Sequence, residues 1–206
     1  MGKKAIIFDL DNTVYPVSSI GKKLFKPLFE LINESGEYSG DRKEIRLEIM
    51  RKPFQLVADQ FSFSPKLKSD GLKLLADTTY NEPMKPFDDY QAIRKLNCKK
   101  FLVTTGFTKL QQSKIEQLGI EQDFDQIFII DPSNSDLTKK DIFRKILDAN
   151  NFEKTDLLVI GDDLNSEIKA AKELGIFTVL FDFNLEHSET ENQKVIRNLT
   201  DLEAFI

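Results

Sequence analysis

Ala5-Ile6-Ile7-Phe8-Asp9-Leu10-Asp11-Asn12-Thr13 is the stretch whose reading decides the fold. Its first four residues form a short apolar run that fits a strand buried on both faces. The run then breaks abruptly into acidic and amide residues. Side chains alternate along a strand, so Asp9 and Asp11 project to one side while Leu10 turns away. Two adjacent carboxylates at a strand end repel each other unless a cation or a shared proton intervenes. A hard divalent cation with oxygen ligands, most naturally Mg²⁺, relieves that repulsion. The bland alternative is a solvated acidic turn.

Composition narrows the classes. A chain of 206 residues holds one core domain and a modest accessory one. Its formal net charge of −5 and the lack of any basic block argue against a nucleic-acid or anionic-membrane partner. No apolar run reaches membrane-spanning length, and the first residues do not read as a signal peptide. Cys98, the single cysteine, has no intrachain disulfide partner, so the expected location is cytoplasmic. Cys98 and the lone His187 read as structural or surface residues.

After the first motif the chain turns helical. Ser18 or Ser19 is placed to cap a helix over about 18–33, with Leu24, Phe25, Leu28, Leu31 and Ile32 as its apolar stripe. Asp41 caps a second helix that Pro53 ends or kinks, and Ser64-Pro65 opens another toward Ala76. Residues 16 to about 80 therefore read as an all-helical block. Its Phe25, Phe29, Phe54, Phe61 and Phe63 read as core, with a ligand pocket as the alternative.

From Pro86 the pattern alternates. Helices are expected over about 87–96, 108–118, 138–149 and 166–174, and strands over 100–104, 126–130, 157–160 and 178–181. That alternation means βαβ units, a mostly parallel sheet and helices on both faces. Ligands in such sheets bind beyond the carboxyl ends of the strands, at the topological switch. Three of those ends are polar. Thr104-Thr105-Gly106 offers a hydroxyl and backbone amides to an anionic oxygen, although Thr before Gly is also turn chemistry. Gly161-Asp162-Asp163, with Asn165, Ser166 and Glu167, holds more acid than a helix cap needs. Thr138-Lys139-Lys140 puts cations at a helix start, against the macrodipole.

Assembled, these residues resemble the haloacid dehalogenase-like hydrolase superfamily. Its first motif, an apolar strand ending Asp-x-Asp-x-Thr, matches Asp9, Asp11 and Thr13. Its second, a strand ending in Thr or Ser, matches Thr104. Its lysine matches Lys139 or Lys140, and its acidic fourth motif matches Gly161, Asp162, Asp163 and Glu167. The resemblance implies an α/β fold, a Rossmann-like doubly wound parallel sheet core of residues 1–15 and 82–206. A small α-helical cap domain, residues 16–81, is inserted after the first strand. The Asp-Asn-Thr-Val-Tyr-Pro form of the motif resembles the branch containing pyrimidine-nucleotidase-like phosphatases.

The same resemblance implies roles. Asp9 is the expected nucleophile, and Asp11 the general acid and then base. Thr104, Thr105 and a lysine bind phosphoryl oxygens. Lys139 is preferred because it sits four residues before Phe143, the first strongly apolar residue of its helix. Mg²⁺ is held by Asp9, by Asp11 through its backbone carbonyl, and by Asp162, with Asp163 or Glu167 in support. The expected activity is Mg²⁺-dependent hydrolysis of a small phosphomonoester, a nucleotide or sugar phosphate, with no obligate protein partner. Phe54, Phe61 and Phe63 are then expected to rank substrates. A phosphomutase keeps every motif and stands as the alternative. Dehalogenation does not use the second aspartate, P-type ATPases need a membrane domain, and a non-catalytic module is expected to lose one of the acids.

Overall fold

In a computed structural model, which describes residues 2–190 and 192–206, six strands form one sheet. They are β1 (Ala5–Phe8), β2 (Lys99–Thr105), β3 (Gln126–Ile130), β4 (Leu157–Gly161), β5 (Phe177–Phe181) and β6 (Lys194–Ile196). All pair in parallel, in the order β3-β2-β1-β4-β5-β6. β1 is bonded on both edges, with Ile7 opposite Phe101 of β2 and Val159 of β4. That position explains why all four of its residues are apolar and buried.

Between β1 and β2 the chain forms α1 (Gly21–Leu24), α2 (Lys26–Ser35), α3 (Arg42–Ile49), α4 (Phe54–Gln60), α5 (Pro65–Asp77) and α6 (Gln91–Lys95). α7 (Thr108–Leu118), α8 (Lys139–Asn150) and α9 (Glu167–Leu174) join the later strands. Strand periodicity separates two apolar layers. Ala5, Ile7, Phe101, Val103 and Val159 pack against Ile142, Phe143 and Ile146 of α8 and Ala171 of α9. Ile6, Phe8, Leu102, Leu158 and Ile160 face the opposite layer, with Ile93 of α6 and Leu110 and Ile115 of α7. The sheet is thus doubly wound. Burying each such side chain contributes about 1.5–3 kcal/mol before entropy is counted. The chain winds outward from β1 to β3 and returns to β4 on the other side, placing the topological switch at β1.

The helical segment shares the second apolar layer, which runs without a break through Leu10, Val14, Tyr15 and Val17 to Leu28, Ile45, Phe54 and Leu67. Asp41 caps α3 by accepting from the amides of Lys43 and Glu44, at 2.8 and 3.1 Å. Ser64 caps α5 from Leu67 N at 3.1 Å, with Pro65 at the first helical position. Among the described residues no helix is long and apolar enough to cross a membrane.

Three local expectations are corrected. The helix read over 18–33 breaks at Phe25 into α1 and α2, because Pro27 lacks the amide that would continue the ladder and its ring crowds the preceding turn. Neither Ser18 nor Ser19 caps it; the Ser19 hydroxyl donates to the Pro16 carbonyl instead. The helix read over 87–96 shrinks to α6, since the Phe87 amide is committed to the Val14 carbonyl and ties this connector to the first motif. β6 and the 3₁₀ segment Leu199–Phe205 were not anticipated; they bury Ile196, Leu199 and Leu202 against the sheet edge.

Candidate active site

The carboxyl end of β1 continues the ladder by one bond, Asp9 N donating to the Ile160 carbonyl at 3.1 Å. Leu10 turns inward and is fully buried. The chain then reverses: Val14 N donates to the Leu10 carbonyl at 2.9 Å, and Asn12 adopts a left-handed φ of 59°. Asn tolerates that conformation, and its Oδ1 accepts from Val17 N at 3.0 Å. The tight turn brings Asp11 back over the strand end.

Lys139, the first residue of α8, reaches across to this end. Its Nζ lies 2.6 Å from Asp9 Oδ1 and 2.7 Å from Glu167 Oε2, and all three side chains are buried. The two carboxylates offset both the desolvation of the ammonium and its unfavourable place at a helix start. Lys140, rotated by about 100° on the helix, pairs outside with Glu173 at 2.6 Å. Glu167 Oε1 also accepts from Asp163 N at 2.8 Å. Gly161 makes room for this fold-back, since a Cβ there would sit 2.0 Å from Glu167 Oε1.

Asp11 is held by a separate set of donors. Lys114 Nζ lies 2.8 Å from its Oδ1, which the Tyr15 hydroxyl also approaches, and Gln111 Nε2 lies 2.8 Å from its Oδ2. Gln111 Nε2 is also 2.6 Å from Thr104 Oγ1. Thr104 therefore accepts from within the protein and keeps its hydroxyl hydrogen to donate. Thr105 is half-buried and lines the same cavity.

The electrostatics of the two aspartates diverge. Burial raises the Asp9 pKa, and Glu167 and Asp11 add to the rise against the pull of Lys139. Asp11 is lowered: burial opposes its charge, but Lys114, Tyr15 and Gln111 together outweigh it. Asp162 at the end of β4 is pushed up to about 8 by burial, with Asp9 and Glu167 adding like charge. Asp163 turns its Oδ1 to Asn165 N, at 2.7 Å, and so orders the loop before α9.

These groups open into a cavity of about 160 Å³. The helical segment walls it with Phe25, Ile49, Arg51, Phe54 and Leu75. Phe61 and Phe63 are not in its wall; Phe61 packs over Gly40, and Phe63 against Tyr38 and Phe54. Five carboxylates line the cavity, Asp9, Asp11, Asp162, Asp163 and Glu167, against four cations, Arg51, Lys52, Lys114 and Lys139. Each of those cations already has an acidic partner. An entering phosphate thus meets no free positive charge among the described residues. Among the described residues no group of three or more His, Cys, Asp or Glu side chains is gathered for a metal. The donors present, Asp9 and Asp162 with nearby backbone carbonyls, suit Mg²⁺, which takes one or two carboxylates and keeps waters. The like-charge crowding on Asp162 is what such a cation would relieve.

The sequence reading passed over Tyr15, Gln111 and Lys114. A signal was present: Gln111 and Lys114 fall on the face of α7 that Leu110, Ile115 and Leu118 bury. Polar residues inside an apolar helical stripe are held there by a partner.

Comparison with known proteins places the chain among hydrolases of one family. A model of the haloacid dehalogenase-like hydrolase family matches residues 3–175. A glyceraldehyde 3-phosphate phosphatase of Methanopyrus kandleri is 24% identical over 193 residues, covering 85% of this chain and 82% of its own. The pyrimidine 5'-nucleotidase YjjG of Escherichia coli is 31% identical over 94 residues, 45% of this chain and 41% of its own. The HAD-hydrolase YfnB of Bacillus subtilis, solved bound to magnesium, shares the fold with a TM-score of 0.65 at 18% identity, covering 99% of this chain and 98% of that one.

Proposed function

The chain belongs to the haloacid dehalogenase-like hydrolase family, and from that premise we propose that it is a Mg²⁺-dependent phosphatase of a small phosphomonoester. The observation that carries this reading is the buried Asp9 at the switch point, 2.6 Å from Lys139 and beside Asp162, at the floor of a small cavity. Asp9 attacks phosphorus in line and forms an aspartyl-phosphate as the bond to the leaving oxygen breaks. Asp11 gives that oxygen a proton and then takes one from the water that displaces Asp9. Thr104, Thr105 and Lys139 bind the phosphoryl oxygens, and Lys139 also restrains Asp9 and Glu167. Mg²⁺, held by Asp9, the Asp11 carbonyl and Asp162, with Asp163 or Glu167 in support, would cancel repulsion between the carboxylates and the phosphate.

Residues 16–81 act as the cap, and their apolar wall excludes water. The substrate is a sugar phosphate or a nucleotide, a reading supported by the named activities of the M. kandleri and E. coli relatives. The chain carries a net charge of −5, which disfavours a polyanionic partner. Its single cysteine is in keeping with a cytoplasmic location.

The test is hydrolysis of a panel of phosphomonoesters with and without Mg²⁺. Turnover is expected to need the metal and to vanish in Asp9→Asn while the melting transition persists. Full activity in excess chelator, or undiminished turnover by Asp9→Asn, would falsify the mechanism.

A further inference from the structure

Asp11 is held more tightly than a solvent-facing acid needs to be. Its Oδ1 accepts from Lys114 at 2.8 Å and from the Tyr15 hydroxyl, and its Oδ2 from Gln111 at 2.8 Å. All three donors belong to buried residues. A buried ammonium persists where a paired carboxylate compensates its desolvation, and the ion-pair partner of Lys114 is Asp11. The donors also come from two directions, Tyr15 from the turn into the helical segment and the other two from α7.

α7 is itself a fixed platform. Leu110, Ile115 and Leu118 anchor it in the core. Asp131 at the end of β3 accepts from Thr108 N and Oγ1, both at 2.9 Å. Ser113 Oγ accepts from Tyr80 N at 2.8 Å, joining α7 to the segment that returns from α5. Lys114 and Gln111 thus hold Asp11 from a helix braced against both parts of the molecule.

An ionised carboxylate offers about four acceptor sites. Three on Asp11 are taken, two on Oδ1 and one on Oδ2. We propose that Lys114, Gln111 and Tyr15 are positioning residues that hold the Asp11 carboxyl in one orientation, leaving a single site on Oδ2 as the carrier of the transferred proton. This rests on the phosphoryl-transfer reading above. In the first half-reaction the Asp9–phosphorus bond forms, the bond to the leaving oxygen breaks, and the proton that Oδ2 took up in the preceding turnover passes to that oxygen, leaving the carboxylate paired with Lys114. In the second, water oxygen displaces Asp9 from phosphorus, and Oδ2 takes the proton that the water loses. One orientation serves both halves, and misplacing the carboxyl by an ångström or so is costly to each.

The test compares p-nitrophenyl phosphate, whose leaving group needs no proton, with glycerol 3-phosphate, whose alkoxide does, both with Mg²⁺. In Lys114→Met, p-nitrophenyl phosphate is expected to give a burst of one p-nitrophenolate per enzyme. Turnover should then be slower than wild type by about 100-fold or more, the general acid–base contribution. Glycerol 3-phosphate should show no burst and a similar loss in kcat with KM little changed. Lys114→Arg should restore part of both rates. Tyr15→Phe, which removes one donor and keeps its ring, should show the same pattern more weakly, and it decides the matter if Lys114→Met fails to fold. A burst slowed as much as steady turnover, equal losses on the two esters from the first step, or a change in KM alone overturns the proposal. If Asp9→Asn retains the burst, the phosphoryl-transfer reading is lost, and this inference with it.

Discussion

At the scale of single residues, the two lysines that open α8 show how position outweighs identity. They are adjacent in sequence and alike in chemistry, yet one is buried between two carboxylates and the other lies outside against Glu173. Lys139→Met leaves Asp9 and Glu167 facing each other without a cation, the kind of loss that costs about 3–5 kcal/mol in a buried pair. Its turnover should collapse, and added Mg²⁺ should recover stability before it recovers rate. Lys140→Met should leave both the melting transition and kcat close to wild type. A melting series and steady-state rates on the two variants check this, and the reverse ranking would reassign the lysine. Lys139 was legible in the sequence because its distance from Phe143 matched a known pattern. Lys114 was not, since nothing local says that a lysine at 114 meets an aspartate at 11.

At the scale of elements, the helical segment divides its aromatic residues between two tasks. Phe54 of α4 faces the cavity and also fills the space over Gly71 of α5, where a Cβ would come within 2.3 Å of its ring. Phe61 and Phe63 pack within the segment. Phe54→Leu should therefore change the ranking of phosphomonoesters by specificity constant, with a smaller effect on p-nitrophenyl phosphate. Phe61→Leu should lower the melting temperature, by about 1–2 kcal/mol of stability, and leave the ranking alone. A changed ranking in Phe61→Leu would mean that the wall of the cavity rearranges when substrate enters. Helix starts were legible here wherever a cap was local, as at Asp41 and Ser64. The break at Phe25 was missed because the apolar stripe from Leu24 to Ile32 spans it, although Pro27 lies inside that stripe.

At the scale of the whole molecule, the helical segment and the rest of the chain are joined by a shared apolar layer, by the Tyr80–Ser113 hydrogen bond and by exposed ion pairs, Arg51 with Glu186 at 2.7 Å and Lys109 with Asp77 at 2.6 Å. Exposed pairs contribute under about 1 kcal/mol, whereas Leu10, Val14 and Val17 of the layer are buried. Arg51→Ala should consequently shift the unfolding midpoint by less than about 1 kcal/mol and leave a single cooperative transition. Two separated transitions in denaturant would show that the pair, rather than the layer, couples the segment to the sheet.

By itself the sequence determined the alternation of strands and helices, the parallel sheet, the helical insertion and the polar strand ends. Each of these is written in local periodicity, in caps and in spacing. Only the tertiary structure decided that Asp9 and Asp11 are held by different cations. It alone showed that Glu167 folds back over Gly161 to share Lys139, and that Phe54 rather than Phe61 meets the cavity. Those outcomes depend on how α7, α8 and α9 are rotated and seated on the sheet. Packing sets that rotation across more than a hundred residues of chain, beyond the reach of any local pattern.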